Sequence, residues 1–152
     1  MSLLKWVGIT FLLSGKVPHT LDNKNRMRLP FKFREELGET VVAMLSGRNT
    51  IFIYSPKEFE ERIAPIAEAA QFDDEGQDTL SKVMAHTYVL ESDAQGRYLL
   101  PQELIALAEI KKDIVTIGKF TKAEIYAAEK FERLNVSAGY TASDLAFLKT
   151  RI

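Results

Sequence analysis

Short alternating and apolar runs, separated by turn residues, predict a chain of short strands and short helices. In the first half, the pattern predicts an extended segment at 16–21, a tight turn at 22–25 and a short strand at 26–30. A short helix at 31–37 and two β-rich runs at 41–45 and 50–54 follow. An amphipathic helix then begins near Ser55 and Pro56. Proline suits the first turn of a helix, because its missing N–H would have no partner there.

The same order of elements returns in the second half. Residues 22–30 align with residues 93–101 at an offset of 71, with Asp, Arg, Leu and Pro identical among nine positions, and the match resumes at an offset of 72. The second copy is predicted to have its strands and short helix at 87–92, 97–101, 102–109, 114–118 and 123–126. Two copies are too few for a solenoid, which needs at least three. The chain is therefore predicted to be a duplication around one core, with a pseudo-two-fold axis.

The most specific local signal is the turn that opens each copy. Asp22 and Asp93 have short carboxylates that can accept hydrogen bonds from N–H groups two residues on, which closes an Asx-type turn. The fourth turn position is Asn25 or Gly96, the residue types that enter the left-handed region most readily. We therefore expect a positive φ at both positions, in hairpin loops that end in a bulge.

The short strand after each turn has two different faces. Alternation places Arg26 and Arg28 on one face and Met27 and Leu29 on the other. In the second copy Arg97 and Leu99 share the corresponding outer face. Since Leu99 stands where the first copy has an arginine, Arg97 is expected to contribute less to binding than Arg26.

Charge is segregated along the chain although the total is only -1. Residues 16–34 contain six cations and one carboxylate, a net +5, whereas residues 55–80 contain two cations and eight carboxylates, a net -6. A basic β-hairpin suits the major groove of DNA, which admits a two-stranded ribbon. The alternative is a solvated edge whose charges prevent strand-to-strand aggregation.

Composition narrows the function classes. The 152 residues are 46% hydrophobic and 27% charged, as in a globular domain. The absence of cysteine excludes disulfides and thiolate chemistry, and two histidines leave little for a metal site, so we expect no catalytic residues, metal or cofactor. Asp22 and Asp93 lack the Asp-Thr-Gly context of a catalytic carboxylate pair, and turn closure accounts for both.

The doubled turn frame resembles the MraZ family, which are bacterial regulators of the division and cell-wall gene cluster built from two SpoVT-AbrB-like repeats. The matching positions are Gly15, Asp22, Lys24, Asn25, Arg26, Leu29 and Pro30, and then Asp93, Gly96, Arg97, Leu100 and Pro101. The similarity extends from about residue 12 to residue 134. Asn25 departs from the family's usual glycine, a change that the turn tolerates.

The resemblance implies an α+β fold of two tandem swapped-hairpin repeats that form one compact unit with flanking helices. It also implies ring-shaped homo-oligomers that bind short direct repeats in double-stranded promoter DNA, in the cytoplasm and at the nucleoid. The Asp-x-x-x-Arg loops would form the DNA surface, with Lys24, Arg26, Arg28 and Arg97 as contact residues. A ring-forming protein-interaction module without direct DNA readout remains the alternative.

The predicted boundaries are 12–62 and 86–134 for the repeats, with a helical linker at 63–85 that has one break and Gly76 near its middle, and a helical tail at 135–152. Residues 1–11 are expected to be an extension foreign to the family, and the apolar run there lacks the small-residue cleavage site of a signal peptide. No apolar run reaches the ~20 residues that cross a bilayer. An aromatic set is predicted to lie in the core: Phe31, Phe33, Tyr54, Phe59, Phe120, Tyr126 and Phe131.

Overall fold

The computed structural model describes residues 12–152. The strands are β1 Lys16–Thr20, β2 Arg26–Arg28, β3 Thr40–Leu45, β4 Ile51–Tyr54, β5 Thr87–Glu91, β6 Arg97–Leu99, β7 Asp113–Lys119 and β8 Lys122–Ala127. The α-helices are α1 Phe31–Leu37, α2 Pro56–Ala70, α3 Asp74–Ala85, α4 Gln102–Leu107, α5 Ala128–Arg133 and α6 Ala142–Lys149, and a 3₁₀ turn spans Val136–Ala138. The residues of the predicted extension, 1–11, lie outside this description.

Six strands form one antiparallel sheet in the order β1-β7-β8-β4-β3-β5, and β2 and β6 form a separate two-stranded ribbon. The first strand of each repeat pairs with the third strand of the other, β1 with β7 and β5 with β3. Both pairings across the centre, β4 with β8 and β2 with β6, also join the two repeats. The repeats are therefore interlocked, and neither has a sheet of its own.

Strand register locates the pseudo-two-fold axis. Met27 lies opposite Tyr98 in the ribbon, and Phe52 lies opposite Glu124 in the sheet. These pairs differ by 71 and 72 in residue number, the two offsets at which the copies align. At the centre of each of these two pairings a residue thus faces its own counterpart, and the predicted α+β duplication around one core is confirmed.

The swapped hairpins that the family resemblance implies are present, whereas alternation and turn chemistry alone do not identify the pairing partners of the short strands. β1 and β2 do not form a hairpin ladder, because β1 joins the sheet while β2 pairs with β6. The turn between them therefore connects a strand of the sheet to a strand of the ribbon. The predicted turn is present, but the strands that it connects have partners in the other repeat.

The main core fills the space between one face of the sheet and the ribbon. Met27, Leu29, Tyr98 and Leu100 from the ribbon segments are completely or almost completely buried there. Helices α1 and α4 contribute the buried side chains Phe33, Leu37 and Leu104. The hydroxyl of Tyr98 donates a hydrogen bond to the carbonyl of Gly38 at 2.9 Å. Burial of alternate ribbon residues fixes which face of the ribbon points outward.

The linker forms a helical hairpin with a single break at residues 71–73. Helix α2 ends at Ala70 and α3 begins at Asp74, where the Asp73 carboxylate accepts a hydrogen bond from the N–H of Glu75 at 3.1 Å. Gly76 is inside α3, and a Cβ there would lie 3.2 Å from the Cβ of Ala70. The glycine thus permits close helix packing, and the capping aspartate defines the break.

Two of the seven aromatic residues predicted for the core are on the surface. Phe31 is 70% exposed at the start of α1, and Phe120 is 62% exposed in the turn between β7 and β8. Phe31 is the first residue of α1 and Phe120 directly follows β7, and the other residues of the range 12–152 leave most of each ring exposed. Phe33, Tyr54, Tyr126 and Phe131 are buried, as predicted.

Candidate nucleic-acid interface

The first turn is held closed by the carboxylate of Asp22. Its Oδ1 accepts hydrogen bonds from the N–H groups of Lys24 and Arg26 at 2.8 and 2.9 Å, and its Oδ2 accepts one from Nε of Arg26 at 2.7 Å. Asn25 has a φ of 60°, the left-handed conformation that the sequence predicts. A single side chain thus closes the turn and orients the arginine that follows it.

The second turn repeats this geometry closely. Oδ1 of Asp93 accepts from the N–H groups of Gln95 and Arg97, both at 2.9 Å, and Oδ2 accepts from Nε of Arg97 at 2.8 Å. Gly96 has a φ of 76°. The two turns therefore present two arginines in the same local setting, as expected for duplicated sites.

The ribbon brings the two turns together on one surface. Arg28 lies directly opposite Arg97, and Arg26 lies opposite Leu99. All four side chains are on the outer face, because Met27 and Tyr98 between them point into the core. Lys24 is exposed at the tip of the first turn. The structure therefore assembles the predicted contact residues of both repeats into one basic surface.

Two ionised carboxylates, those of Asp22 and Asp93, lie among the arginines of this surface. Hydrogen bonds from the N–H of Arg26 first, and also from that of Lys24, hold the pKa of Asp22 at about 2, so this carboxylate stays ionised. The N–H of Arg97 lowers the pKa of Asp93 in the same way. Nη1 of Arg97 also lies 3.8 Å from Oδ2 of Asp22, which links the two repeats.

Arg28 differs from the other two arginines. Among the described residues it forms no ion pair, although it is exposed directly opposite Arg97. Like charges in opposed positions of a β-ladder destabilise the pair unless an anion lies near them. The surface is therefore best suited to an anionic ligand that lies across both strands.

The register removes the reason for expecting Arg97 to matter less than Arg26. Leu99 is the cross-strand neighbour of Arg26, whereas Arg97 faces Arg28. The expectation from the sequence took the neighbour of each arginine from its own strand, which is Arg28 for Arg26 and Leu99 for Arg97. Pairing between repeats gives the second cation to Arg97.

Arg34 is a further residue of this surface that the sequence did not single out as a contact residue. Arg34 of α1 lies over the second turn, and a Cβ added to Gly96 would be 1.8 Å from its Nη1. Gly96 therefore leaves room for the guanidinium as well as permitting a positive φ. Arg34 belongs to the basic stretch at 16–34, but nothing in the sequence indicates that a helix of one repeat reaches the turn of the other.

The two histidines have structural contacts away from this surface. Nε2 of His19 is 2.7 Å from the hydroxyl of Thr116, and burial lowers the pKa of His19, which favours the neutral ring. His86 lies 3.0 Å from a carboxylate oxygen of Glu103. Residues 12–152 contain no group of three His, Asp or Glu side chains that could hold a metal ion. In the same range no helix is long and apolar enough to cross a membrane.

The chain is similar to known proteins along most of its length. The family model described as "MraZ protein, putative antitoxin-like" matches residues 12–82 and 83–141. A transcriptional regulator MraZ of Mycoplasma mobile is 38% identical over 120 residues, which cover 79% of this chain and 82% of the relative. Another from Clostridium tetani is 35% identical over 121 residues, 80% of this chain and 85% of the relative. A third, from Caldanaerobacter subterraneus, is 33% identical over 135 residues, 89% and 94% of the two chains. With both repeats matched, the chain belongs to the MraZ family.

Proposed function

We propose that this chain is a sequence-specific DNA-binding transcriptional regulator whose β2–β6 ribbon enters the major groove. The observation that carries the proposal is the exposed, directly opposed pair Arg28 and Arg97 on a two-stranded ribbon. The major groove admits such a ribbon, and arginine is the side chain that most often recognises guanine through paired hydrogen bonds. The names of the relatives, which are called transcriptional regulators, support the same role.

The contact residues divide into two roles. Arg28 and Arg97 lie on the strands and would contact base edges, with Arg26 beside them in its Asp22-bound orientation. Lys24, at the exposed tip of the first turn, would contact phosphate. Contacts to phosphate position a protein on DNA, whereas contacts to bases select the sequence.

The proposed activity is binding without catalysis. Both carboxylates of the surface, Asp22 and Asp93, already accept three hydrogen bonds each from their own turns. An ionised carboxylate held in this way has no proton to donate and little basicity left. Its role is to orient an arginine.

The proposed target is a set of short direct repeats upstream of the chain's own operon, in the division and cell-wall gene cluster, which places the protein at the nucleoid. We further propose that several copies, arranged as a ring, bind several repeats together. One ribbon offers few base contacts, so linked binding of several ribbons would raise the overall affinity through effective concentration.

The test is a mobility-shift titration with DNA from upstream of the operon and with the same DNA in which the repeats are scrambled. We expect preference for the native sequence, and affinity that falls steeply as salt rises because phosphate contacts release counterions. Arg28→Ala should weaken binding, while Arg133→Ala, a change to an exposed arginine on α5, should not. Equal binding of native and scrambled DNA by all variants would favour the protein-interaction alternative.

A further inference from the structure

The two turns lie at opposite ends of the ribbon. The first turn leads into Arg26, which pairs with Leu99 at the end of β6. The second turn leads into Arg97, which pairs with Arg28 at the end of β2. Three residues of strand extend over about 10 Å, and the major groove is about 12 Å wide. A ribbon that lies across the groove therefore brings one turn close to each of the two phosphate backbones.

The two turns do not contain the same cations. Lys24 is exposed at the tip of the first turn, where its N–H donates a hydrogen bond to the carboxylate of Asp22 at 2.8 Å. The equivalent position in the second turn is Gln95, which is also exposed and whose N–H donates to Asp93 at 2.9 Å. Glutamine has no charge. The second turn therefore lacks, within its own sequence, the cation that the first turn offers to a phosphate.

Arg34 of helix α1 brings a cation to the second turn from the other repeat. Its Cζ atom lies 3.0 Å from the position that a Cβ would have on Gly96. The same atom lies 5.8 Å from the ring centre of Phe31, whose side chain is 70% exposed. A guanidinium at this distance from an aromatic ring is attracted to it. The contacts with the turn and the ring thus hold the guanidinium beside the second turn.

The nearest carboxylates do not neutralise this charge. Asp93 and Glu39 line the same open pocket as Arg34, with a volume of about 310 Å³. The carboxylate of Asp93 forms its ion pair with Arg97, at 2.8 Å from Nε. Within residues 12–152 neither Glu39 nor Arg34 forms an ion pair. The N–H groups of Arg34 are therefore available to an anionic ligand that approaches the turn.

The second repeat has no counterpart of this arginine. At the offset of 71 that relates the two copies, Ile105 of α4 corresponds to Arg34, and Leu104 corresponds to Phe33. Phe33 and Leu104 are both buried in the core, so the two helices do align at this offset. Ile105 is uncharged and packs against the main core. Each turn thus has one additional cation, which is Lys24 at the first turn and Arg34 at the second.

We propose that Arg34 binds a DNA phosphate beside the second turn, in the role proposed for Lys24 beside the first. This inference rests on the proposed function, because it takes the ribbon to lie across the major groove. The planar guanidinium matches the geometry of phosphate oxygens and can donate two hydrogen bonds to them. Contacts to phosphate at both ends of the ribbon fix its position on the duplex, so that Arg28 and Arg97 between them meet the same base pairs each time.

The test is fluorescence anisotropy of the full-length chain with labelled duplexes that contain the native or the scrambled direct repeats, at several salt concentrations. Arg34→Ala should weaken binding to both duplexes by about fivefold for each bound ribbon, the usual size of one exposed ion pair. The slope of log affinity against log salt should become shallower by about one for each bound ribbon, because one phosphate contact fewer releases counterions. Arg34→Gln, which keeps the length of the side chain without its charge, should give the same result.

The matched control is Lys32→Ala on the same helix. The Nζ atom of Lys32 lies 3.0 Å from the position that a Cβ would have on Gly15, on another side of α1 from the second turn. This variant should keep the parent's affinity and salt slope. Gln95→Lys, added to Arg34→Gln, gives the second turn a cation of its own and should restore both quantities. A residue that only supports the fold would not be replaced by a lysine elsewhere.

The possible outcomes separate this inference from the proposed function. Unchanged affinity and slope in both Arg34 variants would overturn the inference, and so would a loss with an unchanged slope that Gln95→Lys does not restore. A loss confined to the native duplex would assign Arg34 to a base instead of a phosphate, and would also overturn it. A parent that binds both duplexes equally would contradict the proposed sequence recognition alone, since a phosphate contact is measured equally well on either duplex.

Discussion

Arg28 of the first repeat lies directly opposite Arg97 of the second on the outer face of the ribbon. Two guanidinium groups in this position repel each other in the free protein and attract the same anion in the complex. The pair depends on the interlocking of the repeats, because within residues 12–152 neither β2 nor β6 has a second strand partner. We therefore expect the two arginines to act together.

Arg28→Ala and Arg97→Ala should each weaken binding to the native DNA by about 1–3 kcal/mol, the usual loss for an arginine that recognises a base. The loss of binding free energy in the double variant should differ from the sum of the two single losses, because side chains that are cross-strand neighbours interact. Titration by anisotropy at fixed salt gives the three values and their coupling energy. Strict additivity would show that the two side chains contact separate sites, and thermal melts of all three variants should resemble that of the parent.

Acid should release the first turn at a defined pH. The pKa of Asp22 is about 2 in the folded chain and 3.8 ordinarily, so its ionised form stabilises the fold above pH 3.8. That contribution is lost as the pH falls from 3.8 to about 2. Asp22→Asn removes the ionisation, so the difference in free energy of unfolding between parent and variant should be constant near neutral pH and shrink progressively below about pH 5. A difference that already shrinks near neutral pH would mean that another group is responsible.

The two turns should respond differently to substitution although their hydrogen bonds match. Asn25→Gly should be neutral or slightly stabilising, whereas Asn25→Val should cost about 1–2 kcal/mol because a branched side chain disfavours a positive φ. Gly96→Ala should cost more than Asn25→Ala, because glycine adopts a positive φ without strain whereas Asn25 already has a side chain there. The guanidinium of Arg34 lies at the end of a flexible side chain and has only to move aside for the new Cβ. Thermal melts should therefore rank Gly96→Ala below Asn25→Ala relative to their parents, and equal losses for both alanine variants would contradict this explanation.

A buried carboxylate on the other face of the sheet should be important for stability. Glu124 is completely buried and accepts hydrogen bonds from Thr50, from the Tyr126 hydroxyl at 2.9 Å and from Nζ of Lys119 at 3.1 Å. Burial, and then the charge of Glu124, raise the pKa of Tyr126 to about 12. Glu124→Leu removes the acceptor of both buried hydroxyls, but the Thr50 hydroxyl keeps its hydrogen bond with the Ser46 hydroxyl. The main loss is therefore at Tyr126, at about 1–3 kcal/mol. Denaturant unfolding should show this loss while the affinity for DNA is unchanged, and a variant as stable as the parent would contradict it.

The sequence predicts those features that depend on neighbouring residues. Alternation correctly separates Met27 and Leu29 from the arginines beside them, and turn chemistry predicts the positive φ at Asn25 and Gly96. Both signals are local, because side-chain alternation and left-handed preference are properties of a few consecutive residues.

Alternation and turn chemistry do not predict which particular residues distant pairing brings together. Alternation shows which face of β2 is buried but does not identify β6 as its partner, so the opposition of Arg28 and Arg97 was missed. The contact of Arg34 with the turn at Gly96 was missed for the same reason. In a fold whose repeats exchange strands, the functional surface is assembled from both copies, and neither copy alone shows it.

The last prediction concerns the number of copies needed for tight binding. We expect a mass several times 17.2 kDa by light scattering. We also expect tight DNA binding to require more than one of the short direct repeats, each of which is called a box below. The physical reason is that edge strands β1 and β5 and helix α6 leave surfaces that favour association, while each ribbon contributes only a few contacts. Once one ribbon is bound, its neighbours in the assembly meet the next boxes at high effective concentration.

The measurement compares DNA with one, two and three boxes, and uses chains with and without residues 1–11. Affinity should rise steeply from one box to two at the native spacing, and much less when the spacing is changed by half a helical turn, because the ribbons then face the wrong side of the duplex. If the chain has the mass of a single copy both with and without residues 1–11, and still binds one box tightly, the ring is excluded. If the spacing has no effect while the mass remains high, the copies assemble but do not bind neighbouring boxes together, which would separate assembly from regulation.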